Sequence, residues 1–240
     1  EFTPFGGIVY DLTDILSAYV SVAEIFQPQT ALSAGGSPIS PRTGRQYEAG
    51  LKGEFLDRQL NAQLSVFKLR DKNRAVNDPS SPGSSIAGGE VEVRGLEAEV
   101  GGSPMKGLQF FAGYALTDTE YVKAPANQQG ATFSTFTPRH TFSLWARYDF
   151  SGGPLSGLHL GAGGRYLSSF YNQAGAVRFE EDGYVVVDAQ IGYDVTENLS
   201  LSLTANNIFD ETYYTRVGSA QVFNFYGEPR SFILKATAKF

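Results

Sequence analysis

The chain has 240 residues, of which 42% are hydrophobic and 13% aromatic, with 27 glycines, no cysteine and a net charge of -6. The absence of cysteine excludes a disulfide scaffold, thiolate zinc sites and cysteine nucleophiles, and the acidic balance argues against a nucleic-acid surface. No run of about 18 apolar residues is present, which excludes a transmembrane helix; a membrane reading then requires a β-barrel, because only helices and closed barrels satisfy every backbone group in lipid.

The hydrophobic pattern predicts an all-β chain of about 11 strands, each roughly nine to eleven residues long, the length a tilted membrane strand needs. In chain order they fall at 5–11, 16–25, 46–55, 59–70, 90–100, 107–120, 139–150, 158–168, 184–194, 199–209 and 230–240. No helical pattern lies between them, so neighbours pair as antiparallel hairpins. The connections alternate in length. Short turns at 13–14, 56–58, 102–106, 152–157 and 196–198 alternate with long connections at 26–45, 71–89, 121–138, 169–183 and 210–229. Short turns at one end and long loops at the other are the habit of outer-membrane barrels. Glu1-Phe2-Thr3-Pro4 carries no signal peptide and reads as the middle of a longer protein entering on a strand.

Successive side chains of a strand point to opposite faces. In the last strand Phe232, Leu234, Ala236, Ala238 and Phe240 share one face, and Ile233, Lys235, Thr237 and Lys239 the other. Tyr47, Ala49, Leu51, Gly53 and Phe55 alternate with Gln46, Glu48, Gly50, Lys52 and Glu54; Leu199, Leu201 and Leu203 alternate with Ser200, Ser202 and Thr204. Aromatics recur eight positions apart at Tyr47/Phe55, Phe142/Phe150 and Phe232/Phe240, a spacing that at ~3.3 Å rise and ~40° tilt puts rings near the edges of a ~25 Å apolar band. Charges at Glu48, Glu97, Arg147, Arg165, Asp188 and Lys235 fall opposite the apolar face. A membrane barrel turns the apolar face to lipid; a soluble sheet buries it under a second layer, and both remain open on pattern alone. Val91, Val93 and Leu96 change parity around Arg94-Gly95, which predicts a bulge there.

His140 and His159 are the only histidines, on different strands and without metal-ligand spacing. Gly161-Ala162-Gly163-Gly164 lies within a strand and marks a close contact or kink rather than a nucleotide site. A triad assembled in space around either histidine remains an enzymatic alternative. The long connections hold the binding candidates: Phe26 and Gln27 in the first, Phe133 and Phe136 in the third, Tyr171 and Arg178 in the fourth, Phe225 and Tyr226 in the fifth. Rings interspersed with amides and arginines suit a bulky polar ligand with flat chelating groups and anionic oxygens.

Several stretches together resemble TonB-dependent outer-membrane siderophore receptors, namely the carboxy-terminal half of their barrel, with hydroxamate and pyoverdine receptors nearest. They include Ala18 through Gln29 with its Phe26-Gln27-Pro28-Gln29, Arg94-Gly-Leu-Glu-Ala-Glu99, Thr137-Pro-Arg-His140, Ala205-Asn-Asn-Ile-Phe-Asp-Glu-Thr-Tyr-Tyr214 and Tyr226-Gly-Glu-Pro-Arg230. The resemblance implies that 1–240 is part of a barrel of 22 strands, with a plug domain and amino-terminal strands outside this chain. It implies energy-coupled uptake of a ferric siderophore, with TonB and its inner-membrane energising complex, the plug domain and outer-membrane lipid as partners. Iron would enter only inside its chelate, with no resident cofactor or metal. The aromatic and polar loop residues named above would bind the chelate, while Arg147, Arg165, Asp188 and Lys235 would face the plug. Rival readings are a passive porin, uptake of another nutrient such as a cobalamin-like ligand, and a soluble all-β binding module.

Overall fold

The computed structural model describes residues 2–125, 128–174, 176–218 and 222–239. Every expected strand forms: β1 (Phe5–Thr13), β2 (Leu16–Gln27), β3 (Arg42–Phe55), β4 (Leu60–Asn77), β5 (Ser85–Met105), β6 (Leu108–Lys123), β7 (His140–Asp149), β8 (Leu158–Ala174), β9 (Val177–Thr196) and β10 (Leu199–Asn206). A short ribbon of β11 (Tyr214–Arg216) and β12 (Phe225–Tyr226) follows, and then β13 (Ser231–Ala238). The 11 long strands form one antiparallel sheet in the order β1 to β10 and then β13, while β11 and β12 pair with each other alone. Among the described residues the only helical turn is a 3-10 turn at Gly153–Leu155.

The registers confirm the assignment of faces. Across β10 and β13, Leu203 opposes Leu234, Leu201 opposes Ala236 and Ala205 opposes Phe232, while Ser202 opposes Lys235. Directly opposed residues share a face, so the apolar stripe read from alternation is continuous between strands. Leu201, Leu203, Phe232 and Leu234 are all exposed, with no second layer over them among the described residues. Phe240, the far member of one aromatic pair, lies outside the described residues. In the β7–β8 pair Trp145 opposes Gly163. A Cβ on Gly163 would sit 2.3 Å from the Leu144 carbonyl oxygen and 2.6 Å from Trp145 Cε3. The glycine run is therefore the bed on which the only tryptophan lies, as close contact rather than nucleotide binding.

Strand lengths depart from expectation. β4 has 18 residues, β5 has 21, β8 has 17 and β9 has 20. At ~3.3 Å rise and ~40° tilt, such ribbons run to roughly 45–50 Å, well beyond a ~25 Å apolar band. The predicted long connections shrink accordingly. The second becomes residues 78–84, and the fourth vanishes, because β8 and β9 pair out to Ala174 and Val177. Tyr171 and Arg178 are thus strand residues, not loop residues, and so are Phe26 and Gln27, which end β2.

The expected bulge at Arg94-Gly95 is also replaced. β5 runs unbroken through both residues. In β4, Leu64, Val66, Lys68 and Arg70 share a face by alternation, and Lys68 and Arg70 bind Glu92 at 2.9 and 3.0 Å. Glu90, Glu92, Arg94 and Leu96 therefore lie on that same face of β5. The strand does not change phase; its surroundings change. The outward face is apolar at Leu64, Val66 and Leu96 and charged further toward the long-loop end, and the opposite face becomes apolar there, with Val91 2% exposed.

Contacts divide the chain into two compact units. One comprises Glu1–Gly53, Gln63–Glu97 and Leu116–Ser134; the other comprises Glu54–Ala62, Ala98–Ala115 and Thr135–Phe240. A buried apolar cluster in the second unit joins Phe170, Tyr184, Val186, Tyr213 and Val217, with Leu167, Phe179 and Tyr214 packed against it.

Candidate functional site

In the first unit a chain of polar groups closes around the top of β2, β3 and β4. Register sets Gln27 opposite Arg42, and Arg42 Nη1 donates to Gln27 Oε1 at 3.0 Å. The other edge of the Arg42 guanidinium forks onto the carboxylate of Asp71. Asp71 is shared, for Arg74 Nη1 donates to the same carboxylate at 2.6 Å. Arg74 then lies over the Phe133 ring at 4.4 Å, and Phe133 meets Tyr121 edge-on at 5.2 Å. One carboxylate under two guanidiniums leaves a net positive charge beside aromatic faces, the arrangement that receives anionic oxygens on a flat chelate. Gln27 and Phe133 are thereby brought into one network. Arg42, Asp71 and Arg74, which connect them, were not singled out from sequence. The register extension of β2 and β3 to Gln27↔Arg42 is the signal that finds Arg42.

Phe26 stands apart from Gln27. Strand alternation gives it the face of Val20, Val22 and Glu24, and it lines an outward groove with Arg45, Lys68 and Arg70. Gln29 is committed to holding its loop. Its amide donates to the carbonyls of Ser40 and Asn73, each at 2.6 Å, and accepts from Ala75 N at 3.1 Å.

In the second unit Tyr171 and Arg178 meet each other at the tip of β8 and β9. The Arg178 guanidinium lies 3.7 Å from the Tyr171 ring centre and donates to Glu180 at 2.7 Å. Phe136 stays exposed in the connection before β7, near Thr135, whose carbonyl accepts from Tyr171 N at 2.8 Å. Tyr226 stacks on Tyr214 at 4.4 Å, and the Tyr214 hydroxyl donates to that of Tyr226 at 2.7 Å. That hydrogen bond, with a little burial, holds the Tyr214 phenol above its ordinary range. Phe225 and Tyr226 remain exposed beside it.

The segment that carries these rings is anchored by its own sequence signature. Asn207, 2% exposed and left-handed with φ 49°, donates from its side chain to the Glu211 and Glu228 carbonyls at 2.8 and 3.1 Å and accepts from Glu211 N at 2.9 Å. Its own N–H donates to Asp188 at 2.8 Å. Asp210 accepts from Arg230 N at 3.0 Å. Tyr213 is inserted under Tyr184 at 4.2 Å between ring centres and accepts from Arg165 Nη2 at 2.8 Å. A Cβ on Gly227 would fall 2.0 Å from Tyr213 Cζ, so only glycine admits the ring.

The expected plug-facing charges divide along these lines. Arg165 and Asp188 pair at 3.5 Å and also hold the folded-back segment, through Tyr213 Oη and Asn207 N. Arg147 donates to Asp149 at 2.7 Å, and Asp149 also binds His159, whose other nitrogen reaches Asp194 at 2.9 Å. His159 thus ties three strand ends together near the short turns. Lys235 is exposed on the inner face, and among the described residues it makes no ion pair.

Residues 1–208 match the family described as TonB dependent receptor-like, beta-barrel. The chain is 38% identical to the ferric-pyoverdine M114 receptor of Pseudomonas sp. strain M114, a match covering all of this chain and 30% of that protein. It is 35% identical to the ferrichrome outer membrane transporter and phage receptor of Escherichia coli K12, covering all of this chain and 32% of that one. The crystal structure of the ferripyoverdine receptor of the Pseudomonas aeruginosa outer membrane, bound to ferripyoverdine, superposes with a TM-score of 0.89 at 32% identity, covering all of this chain and 33% of that one. The chain spans about a third of the length of these relatives, which are receptors and transporters, not enzymes.

Proposed function

Because the chain belongs to the TonB-dependent receptor β-barrel family of the outer membrane, we propose that it forms the carboxy-terminal part of a receptor for energy-coupled uptake of a ferric siderophore of the pyoverdine or hydroxamate type. The observation that carries this reading is similarity along the whole chain to receptors for ferric pyoverdine and ferrichrome. In this reading iron arrives inside its chelate, with no chemistry done on it. The first unit offers such a ligand the Gln27–Arg42–Asp71–Arg74–Phe133 network; taken by itself, the second unit offers Tyr171 with Arg178 and the exposed rings of Phe136, Phe225 and Tyr226. Lys235 and the Arg147 cluster are the inner-wall charges offered to a plug domain, and TonB with its energising complex supplies the drive. Loosely held solvated ion pairs of ~0–1 kcal/mol each suit a plug that must be gripped and released.

The test is iron uptake by cells that express the full-length receptor as their only siderophore receptor, supplied with ⁵⁵Fe on pyoverdine, ferrichrome or a catecholate. Saturable uptake from one of the first two, abolished by a protonophore, is expected. Uptake that persists without the proton-motive force would make the barrel a porin. Transport of cobalamin in place of all three chelates would reassign the cargo.

A further inference from the structure

Asp71 and Arg74 stand three residues apart on β4. Successive residues of a strand alternate faces, so the two belong on opposite sides of the sheet. They nevertheless bind each other at 2.6 Å. The residue that allows this is Asn73, whose φ is 61°. Among the described residues it is the only non-glycine with a left-handed backbone inside a long strand. One such residue makes a bulge, which reverses the alternation and re-aims the side chains beyond it. The neighbouring strand records the reversal. Gly89 and Val91 share the face opposite Glu90 and Glu92, and a Cβ on Gly89 would lie 3.1 Å from Arg74 Cβ. Glu92 shares the face of Arg70, which binds it at 3.0 Å, so Arg74 has come round to the face of Asp71.

A single side chain clamps the bulge. Gln29 Nε2 donates to the Asn73 carbonyl at 2.6 Å, and Gln29 Oε1 accepts from Ala75 N at 3.1 Å. One amide thus satisfies the backbone groups on either side of Arg74. The same Nε2 donates to the Ser40 carbonyl at 2.6 Å, and Asn73 Nδ2 donates to the Pro41 carbonyl at 3.1 Å. Ser40 and Pro41 lead directly into Arg42, where β3 begins. Both guanidiniums of the network therefore spring from backbone that this clamp holds. Gln27, two residues earlier, accepts from Arg42 Nη1. The two glutamines of Phe26-Gln27-Pro28-Gln29 have separate roles: Gln27 meets a guanidinium, and Gln29 fixes the backbone that carries the pair.

We propose that Gln29 is a positioning residue of the chelate site. It locks the Asn73 bulge that turns Arg74 onto Asp71, and so sets two guanidiniums over one carboxylate (2 − 1 = +1). Without the lock β4 returns to regular alternation, Arg74 swings to the opposite face, and the neutral Arg42–Asp71 pair (1 − 1 = 0) is left to meet the anionic oxygens of the chelate. Gln29 acts through the charge that Arg74 presents. The inference rests on the reading of this network as part of the chelate site, which Arg74→Ala tests separately.

The experiment is a double-mutant cycle on the full-length receptor, with Kd for ferric pyoverdine and for ferrichrome measured by titration calorimetry. Arg74→Ala should weaken the chelate that the parent binds roughly tenfold, the loss of one charge-assisted hydrogen bond. Gln29→Met keeps the length of the side chain, removes its amide and should cost about the same. Combined, the two should cost no more than Arg74→Ala alone, to within about twofold, because both act on one contact. Asn73→Gly keeps the left-handed backbone and should retain affinity that Asn73→Val, whose branched side chain resists positive φ, loses. A roughly hundredfold loss in the double variant would make the two effects independent and overturn the positioning role. So would parent-like affinity in Gln29→Met beside a weakened Arg74→Ala. Should Gln29→Met not assemble, equal affinities of Asn73→Gly and Asn73→Val overturn it instead. Parent-like affinity in Arg74→Ala, or a parent that binds neither chelate, removes the network from the site and this inference with it.

Discussion

Asn207→Ala should open the ring-bearing segment without unfolding the sheet. The side chain makes three hydrogen bonds, to the Glu211 and Glu228 carbonyls and from Glu211 N, and is 2% exposed. Buried hydrogen bonds contribute ~1 kcal/mol each, so their loss costs roughly 3 kcal/mol. The residue also holds φ at 49°, a conformation asparagine tolerates and alanine resists by another ~1 kcal/mol. A total of about 4 kcal/mol corresponds to a ~1000-fold rise in the open population of the segment. Hydrogen exchange of the full-length receptor in detergent measures this directly, in the amides of 211–218 and 225–228. Their protection should fall by about three orders of magnitude on that arithmetic, while the β7–β8 amides stay protected. Asn207→Gly restores the backbone freedom and should recover roughly fivefold of the loss. Protection within threefold of the parent in Asn207→Ala would refute the claim that this asparagine latches the segment.

Gly227→Ala should expel Tyr213 from beneath Tyr184, because the added carbon would lie 2.0 Å from the ring; loss of protection at 213–217 to the level of Asn207→Ala is the expected reading. Asp71→Asn removes the carboxylate shared by Arg42 and Arg74 and should weaken chelate binding at least tenfold through misplaced guanidiniums, with the heat-modifiable mobility of the folded barrel unchanged; parent-like affinity would detach this network from the ligand. Removing residues 124–138 after the end of β6 should reduce chelate affinity and leave membrane insertion intact, and unchanged affinity would remove Phe133 and Phe136 from the site. Gly163→Val should displace Trp145, which a Cβ there would approach at 2.6 Å, and red-shift the single-tryptophan emission of this chain; an unshifted spectrum would refute the close contact.

Alternation made the lipid face legible, because a membrane strand must satisfy one solvent on each side, and the opposed pairs Leu203↔Leu234 and Leu201↔Ala236 bear that out. The same rule misled at its limit. Apolar side chains define a strand by contrast with water, so a strand read from that contrast ends where its outward face turns polar. β4, β5, β8 and β9 continue past that point with charged residues outward and apolar ones inward, as Glu92 beside Val91 shows. What looked like a slipped register at Arg94-Gly95 is one unbroken strand leaving hydrocarbon for water. Tyr171 and Arg178 therefore lie on a paired hairpin rather than an adaptable loop, and their cation–π contact at 3.7 Å is held by backbone register.

The candidate site was legible by residue type and illegible by role. Aromatic and amide content pointed to the segment around Phe225 and Tyr226, yet nothing local in Asn207, Tyr213 and Gly227 shows that they clasp one another across 20 residues of chain. Arg165 and Asp188 were legible as inner-face charges, but not as the partners of Tyr213 and Asn207 that they also are. The segment that presents Phe225 and Tyr226 is bolted, through Tyr213 and Asn207, to the inner-face residues Arg165 of β8 and Asp188 of β9, so its rings are placed by the sheet and not by the local sequence of the segment.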